Sequence, residues 1–103
     1  MDEHEARLKR LRMRSWRRGT KEMDLILGPF SDSDLAGLSP AELDLYEALL
    51  EENDQDLYPW ITARLGDARP GPAALSPLLD RIARHAQGRL GPNRHNFSEL
   101  RRD

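Results

Sequence analysis

Residues able to do chemistry are scarce in this chain. His4, His85 and His95 lie far apart, and none has a partner at a metal-ligand spacing such as i,i+4 on one helix. They are expected to be exposed and without a special role. Cysteine is absent, which removes thiolate nucleophiles, disulfides and cysteine–zinc sites together. The carboxylates of "SDSD" at 31–34 and "DQD" at 54–56 suit calcium by type, but the glycine and distal glutamate of an EF-hand loop do not follow. The interrupted glycines of 66–72 lack the lysine of a phosphate loop. No nucleophile–base pair is legible, so this chain is not expected to be an enzyme. What remains is the stretch "RRGTKEMD" at 17–24, where a guanidinium and a carboxylate flank a residue without a side chain.

Arg18, Gly19 and Glu22 admit two readings. As punctuation, Gly19 takes a left-handed conformation at the C′ position of one helix, and Glu22 sits in the first turn of the next, near its exposed amides. Arg18 can then pair with Glu22, worth about 0.2–0.5 kcal/mol at an exposed site. As a docking surface, Gly19 lets a partner's backbone approach closely. Arg18 offers a planar fork for a carboxylate or carbonyl, and Glu22 a matching acceptor.

The elements that must position these residues read as helices. Residues 3–17 place Leu8, Leu11, Ser15 and Trp16 on one side, and Arg7, Arg10, Arg14 and Arg17 on another as a basic stripe. The next helix carries Met23, Ile26, Leu27 and Phe30 on its apolar face, and Gly28-Pro29 is expected to kink or break it. Ser39, Pro40 and Glu42 form a capping box with proline at N1, stapled by Leu38 and Leu43. Leu43, Tyr46, Leu49 and Leu50 follow as a core stripe. A fourth helix, capped by Asp54 or Asp56, carries Leu57, Trp60, Ile61 and Leu65, and Pro59 fits it only if the helix starts late enough to put the proline in its first turn. Ser76-Pro77 repeats the cap signal before Leu78, Leu79, Ile82 and Ala86. No segment alternates with period two. The expected fold is all-α: a compact bundle of four to five short helices over 1–90, with a flexible tail over 91–103.

Charge is zoned along the chain. Residues 1–21 hold eight Lys/Arg against three Asp/Glu; eleven carboxylates and no basic residue lie between Lys21 and Arg64; eight basic and four acidic residues run from Arg64 onward. Such zoning concerns docking and steering. The arginine stripe suits phosphates, so a small nucleic-acid-binding or regulatory adaptor is the alternative reading. The acidic middle and the net charge of −2 weigh against it. No apolar run spans a bilayer and no apolar leader opens the chain, so a soluble cytoplasmic protein is expected.

"KRLRMRSWRRGTKEMDLILGPF" followed by "LSPAELDLYEALLEENDQDLYPWI" resembles the SdhE-type flavinylation factors, the family that also includes the mitochondrial succinate dehydrogenase assembly factors. The hallmark R-G-x-x-E is met by Arg18, Gly19 and Glu22. Arg10-Leu11, Ser15, Asp24, Leu27, Phe30, Leu38, Glu42-Leu43, Tyr46, Leu49-Leu50, Asp54, Asp56-Leu57 and Trp60 extend the pattern over about residues 7–65. The resemblance implies a helical bundle that binds the flavoprotein subunit of succinate dehydrogenase, and in some bacteria of fumarate reductase. It also implies promotion of covalent FAD attachment to a histidine of that subunit. Arg18, Gly19 and Glu22, with Arg10 and Asp24, would form the partner contact. FAD would be held by the partner, with no cofactor of the chain's own. No nucleic acid and no membrane insertion are expected, and the chain is expected to be a monomer.

Overall fold

The computed structural model describes residues 2–89. Five α-helices form among them: α1 (Glu3–Ser15), α2 (Lys21–Asp34), α3 (Pro40–Leu50), α4 (Asp54–Ala63) and α5 (Ser76–Arg89). Short 3-10 turns at Leu35–Gly37 and Ala73–Leu75 lead out of α2 and into α5. The described residues form no strand, and the fold is an all-α bundle. The tail expected over 91–103, with His95, lies outside the described residues.

The bundle closes because each helix presents an apolar stripe to one shared core. Phe30 from α2, Tyr46 and Leu49 from α3, Leu57 and Ile61 from α4, and Leu79 and Ile82 from α5 are all fully buried. Truncating an aliphatic side chain at such positions to alanine typically costs about 2–5 kcal/mol. Phe30 stands at the centre, stacked on Tyr46 at 5.8 Å between ring centroids and edge-on to His85 at 5.7 Å. His85 is therefore packed rather than exposed, and its Nε2 lies 2.8 Å from Ser33 Oγ.

The capping box at Ser39 and Glu42 forms as expected, with the staple residues Leu38 and Leu43 both buried. The Ser39 amide, Ser39 hydroxyl and nearby Arg81 hold the Glu42 carboxyl below its usual range, the amide most of all.

Three boundaries after α1 differ from the sequence expectation. Helix α2 runs through Gly28-Pro29 to Asp34. Ile26 and Leu27 before the pair, and Phe30 and Ser31 after it, are all buried, so core packing keeps both sides within one continuous helix. Ser31 Oγ also donates to the Gly28 carbonyl at 2.7 Å. "SDSD" is thus the end of a helix, and Asp34 pairs with Arg81. Asn53 takes the N-cap position of α4 without a side-chain capping hydrogen bond, which leaves Asp54 and Asp56 in the first turn and Pro59 beyond it, inside the helix. Ser76 is the first residue of α5, entered from a 3-10 turn, and its hydroxyl accepts from Arg64.

Tyr46 joins the core to α1. Ser15 Oγ donates to the Leu11 carbonyl at 2.7 Å, so its single proton is committed, and the Tyr46 hydroxyl donates to Ser15 Oγ at 2.6 Å. Burial pushes the Tyr46 hydroxyl up from 10.0 to about 12, opposed by the nearby positive charges of Arg18 and Arg14. Unfolded Tyr46 releases its proton above pH 10 while the folded residue keeps it to about 12. Its contribution is therefore whole below pH 10 and is lost as pH rises to 12. Tyr46→Phe is expected to cost about 0.5–1.5 kcal/mol near neutrality. Denaturant melts between pH 9 and 12 should fall less steeply in Tyr46→Phe than in the native chain, and equal slopes would refute the assignment.

Candidate partner-docking site

The stretch 17–24 forms a turn between α1 and α2. Helix α1 ends earlier than expected, at Ser15 with Trp16 as its C-cap, so Gly19 is not its C′ residue. Gly19 lies three residues past that cap at φ +111°, a conformation open to glycine and strained for other residues. Thr20 then caps α2, its hydroxyl accepting the Met23 N–H at 3.3 Å, which places Glu22 in the first turn as expected.

Arg18 organises the turn from within. Its backbone N–H donates to Asp24 Oδ1 at 2.6 Å. Its guanidinium reaches the α3–α4 junction, where Nε donates to Asp54 Oδ1 at 2.9 Å, Nη1 to the Leu50 carbonyl at 2.6 Å and Nη2 to the Glu52 carbonyl at 2.7 Å. The Leu50 carbonyl belongs to the last turn of α3, where helices leave acceptors unpaired and favour a cation. The Arg18 and Asp54 side chains are only 10% and 15% exposed. The fork expected to face a visitor is therefore engaged by the chain's own acceptors. The Arg18–Glu22 pair does not form, because Arg18 precedes α2 and its side chain runs to α4 instead.

Gly19 itself is exposed, and a Cβ placed on it would meet nothing within 4 Å. The bare backbone is thus presented to solvent by a clasp of Arg18, Asp24 and Asp54 beneath it. Glu22 is partly exposed, and its carboxylate makes no hydrogen bond or ion pair among the described residues. It lines a cleft of roughly 270 Å³ with Thr20, Asp54, Gln55 and Tyr58. Arg18 also lines a second depression with Arg10, Met13, Arg14 and Arg17, a groove of roughly 380 Å³. The structure thus gathers Arg18, Gly19, Glu22 and Asp24 around one turn and sets Arg10 in the neighbouring groove. Asp54, Gln55 and Tyr58 were missed as site residues. They lie more than thirty positions from Gly19, and nothing local in sequence links them to it.

The basic stripe has a different use from the one its spacing suggested. Arg7 bridges Asp44 and Glu47 at 2.6 and 2.9 Å, and Arg14 meets Glu51 at 2.6 Å, so two of its members tie α1 to the acidic face of α3. A phosphate backbone would have to displace those carboxylates, which weakens the nucleic-acid alternative.

Trp16 accounts for a second feature of α2. Its indole lies over Gly28, where a Cβ would clash with the ring, so only glycine admits the approach. The indole N–H points to Asp32 Oδ1 at 3.4 Å, and the side chain remains 40% exposed.

No group of three or more His, Asp or Glu side chains able to hold a metal occurs among the described residues, nor is any helix among them long and apolar enough to cross a membrane. Fold and site together define a small all-α protein whose most distinctive surface among the described residues is an open glycine turn. The family described as flavinator of succinate dehydrogenase matches residues 9–86, and the chain belongs to it. Among curated relatives, "Succinate dehydrogenase assembly factor 2, mitochondrial" of Mycosarcoma maydis is 42% identical over 60 residues, 58% of this chain and 25% of that protein. "FAD assembly factor SdhE" of Vibrio cholerae is 35% identical over 69 residues, 67% of this chain and 77% of the relative. Its namesake in Aliivibrio fischeri is 34% identical over 74 residues, 72% and 83% of the two chains. The match thus spans a quarter of the fungal protein and most of each bacterial one.

Proposed function

We propose that this chain is an assembly factor that binds the flavoprotein subunit of succinate dehydrogenase and promotes covalent attachment of FAD to a histidine of that subunit. The observation that carries the reading is the flavinator family match over residues 9–86, which includes the Gly19 turn. The relatives' names, an FAD assembly factor and a succinate dehydrogenase assembly factor, support the same step.

In this reading the flavoprotein and its FAD supply the reacting atoms, and this chain supplies position. Holding a partner in the reactive arrangement accelerates a step without any group of the helper taking part. The open backbone at Gly19 and the carboxylate of Glu22 touch the partner, while Arg18 and Asp24 keep the turn in shape. The chain acts as a monomer in the cytoplasm, carries no cofactor, and accepts a fumarate reductase flavoprotein as a second client where one exists. The test is co-expression with the flavoprotein subunit, followed by flavin fluorescence of the denatured subunit. Covalent flavin should rise with the chain present; equal labelling in its absence would overturn the reading.

A further inference from the structure

Two depressions of opposite charge are lined by the residues on either side of Gly19 in sequence, Arg17 and Arg18 in one and Thr20 and Glu22 in the other, and their residues are paired unequally. In the groove, Arg14 is already neutralised by Glu51 and Arg18 by Asp54, but Arg10 and Arg17 make no ion pair among the described residues. Met13, 43% exposed, lies among these arginines. In the cleft, Asp54 is neutralised by Arg18, which leaves Glu22 as the uncompensated charge beside Thr20, Gln55 and Tyr58. Arg18 and Asp54 belong one to each depression and bond to each other, so this pair links the linings of the two sites.

We infer that the turn reads a bipolar segment of the flavoprotein: a carboxylate-bearing residue with an apolar neighbour enters the Arg10–Met13–Arg17 groove, and a lysine or arginine enters the Glu22 cleft. Charge complementarity selects this occupant. A guanidinium or ammonium gains from Glu22, and its aliphatic stem can lie along the Tyr58 wall. A carboxylate gains from Arg10 and Arg17, and Met13 offers a soft, adaptable surface to the apolar neighbour. Between them the segment's backbone crosses Gly19, where no side chain intervenes. A segment of reversed polarity would bring like charges together at both ends, so the arrangement also fixes direction.

The inference rests on the proposed function, and one set of measurements separates the two. Binding of the purified succinate dehydrogenase flavoprotein subunit is followed by titration at low and high sodium chloride, with the native chain, Arg10→Ala/Arg17→Ala and Glu22→Gln. None of the three replaced residues is buried, so the fold is kept. Each variant should bind roughly tenfold or more weakly at low salt, and the loss should shrink at high salt as screening removes the native advantage. Glu22→Lys should weaken binding further than Glu22→Gln, because it adds repulsion to the lost attraction. If the native chain binds and all variants stay within about twofold of it, the polarity assignment is wrong although the function stands. If the native chain fails to bind the subunit at all, the function itself falls.

Discussion

Gly19→Arg is expected to reduce stimulated flavinylation to the level seen without the chain, while the helical circular dichroism spectrum persists. The expectation follows from two properties of the position. A side chain at φ +111° costs about 1–3 kcal/mol of backbone strain, a loss a folded bundle can absorb. No atom lies within 4 Å of the new Cβ, so no core contact is broken. The added side chain instead stands on the bare surface that the partner would cross. Gly19→Ala separates obstruction from strain: it should show nearly the same drop in melting temperature but retain more activity. Undiminished stimulation by Gly19→Arg would remove the turn from the contact.

Arg18→Ala is expected to fail for a different reason. It strips a donor from the Leu50 and Glu52 carbonyls and leaves Asp54 a partly buried carboxylate without its cation. Breaking a buried pair by removing one partner costs about 3–5 kcal/mol, and discounting for residual exposure leaves about 2–4 kcal/mol. In a domain of this size that lowers the melting temperature by on the order of 10 °C or more. Arg18→Lys should rescue little, since one ammonium cannot span three acceptors set in a fork. Pairing Arg18→Ala with Asp54→Asn should be less damaging than the sum of the two, because the second change relieves the stranded charge. A melt within 1 °C of the native chain would show that the clasp holds nothing together. The two variants would thus divide the motif: loss at Gly19 would be loss of contact, and loss at Arg18 loss of the scaffold under it.

The helical content and the core stripes were legible in the sequence because both rest on local periodicity. The capping box at Ser39 and Glu42 was legible for the same reason, as its partners stand three residues apart. Gly28-Pro29, expected to kink or break the helix, does not break it, because buried anchors on both sides outweigh one missing amide. His85 was read as exposed because its packing partner Phe30 lies on another helix. Arg64 carried no signal at all. Yet it is 6% exposed and binds Asp80, Ser76 and the Trp60 carbonyl, fastening the proline-rich connection before α5.

By itself, then, the amino-acid order determined an all-α chain, its main core residues, the family pattern, and the prominence of Arg18, Gly19 and Glu22. Only tertiary structure decided their division of labour. It turned the Arg18 fork inward to α3 and α4, used Arg7 and Arg14 to hold α1 on α3, and left Gly19, Glu22, Arg10 and Arg17 facing out. The reason is geometric. Periodicity specifies which side of a helix is apolar, but an arginine at the end of a long flexible stem bonds whichever acceptors the packed helices bring within reach, and those lie tens of residues away along the chain.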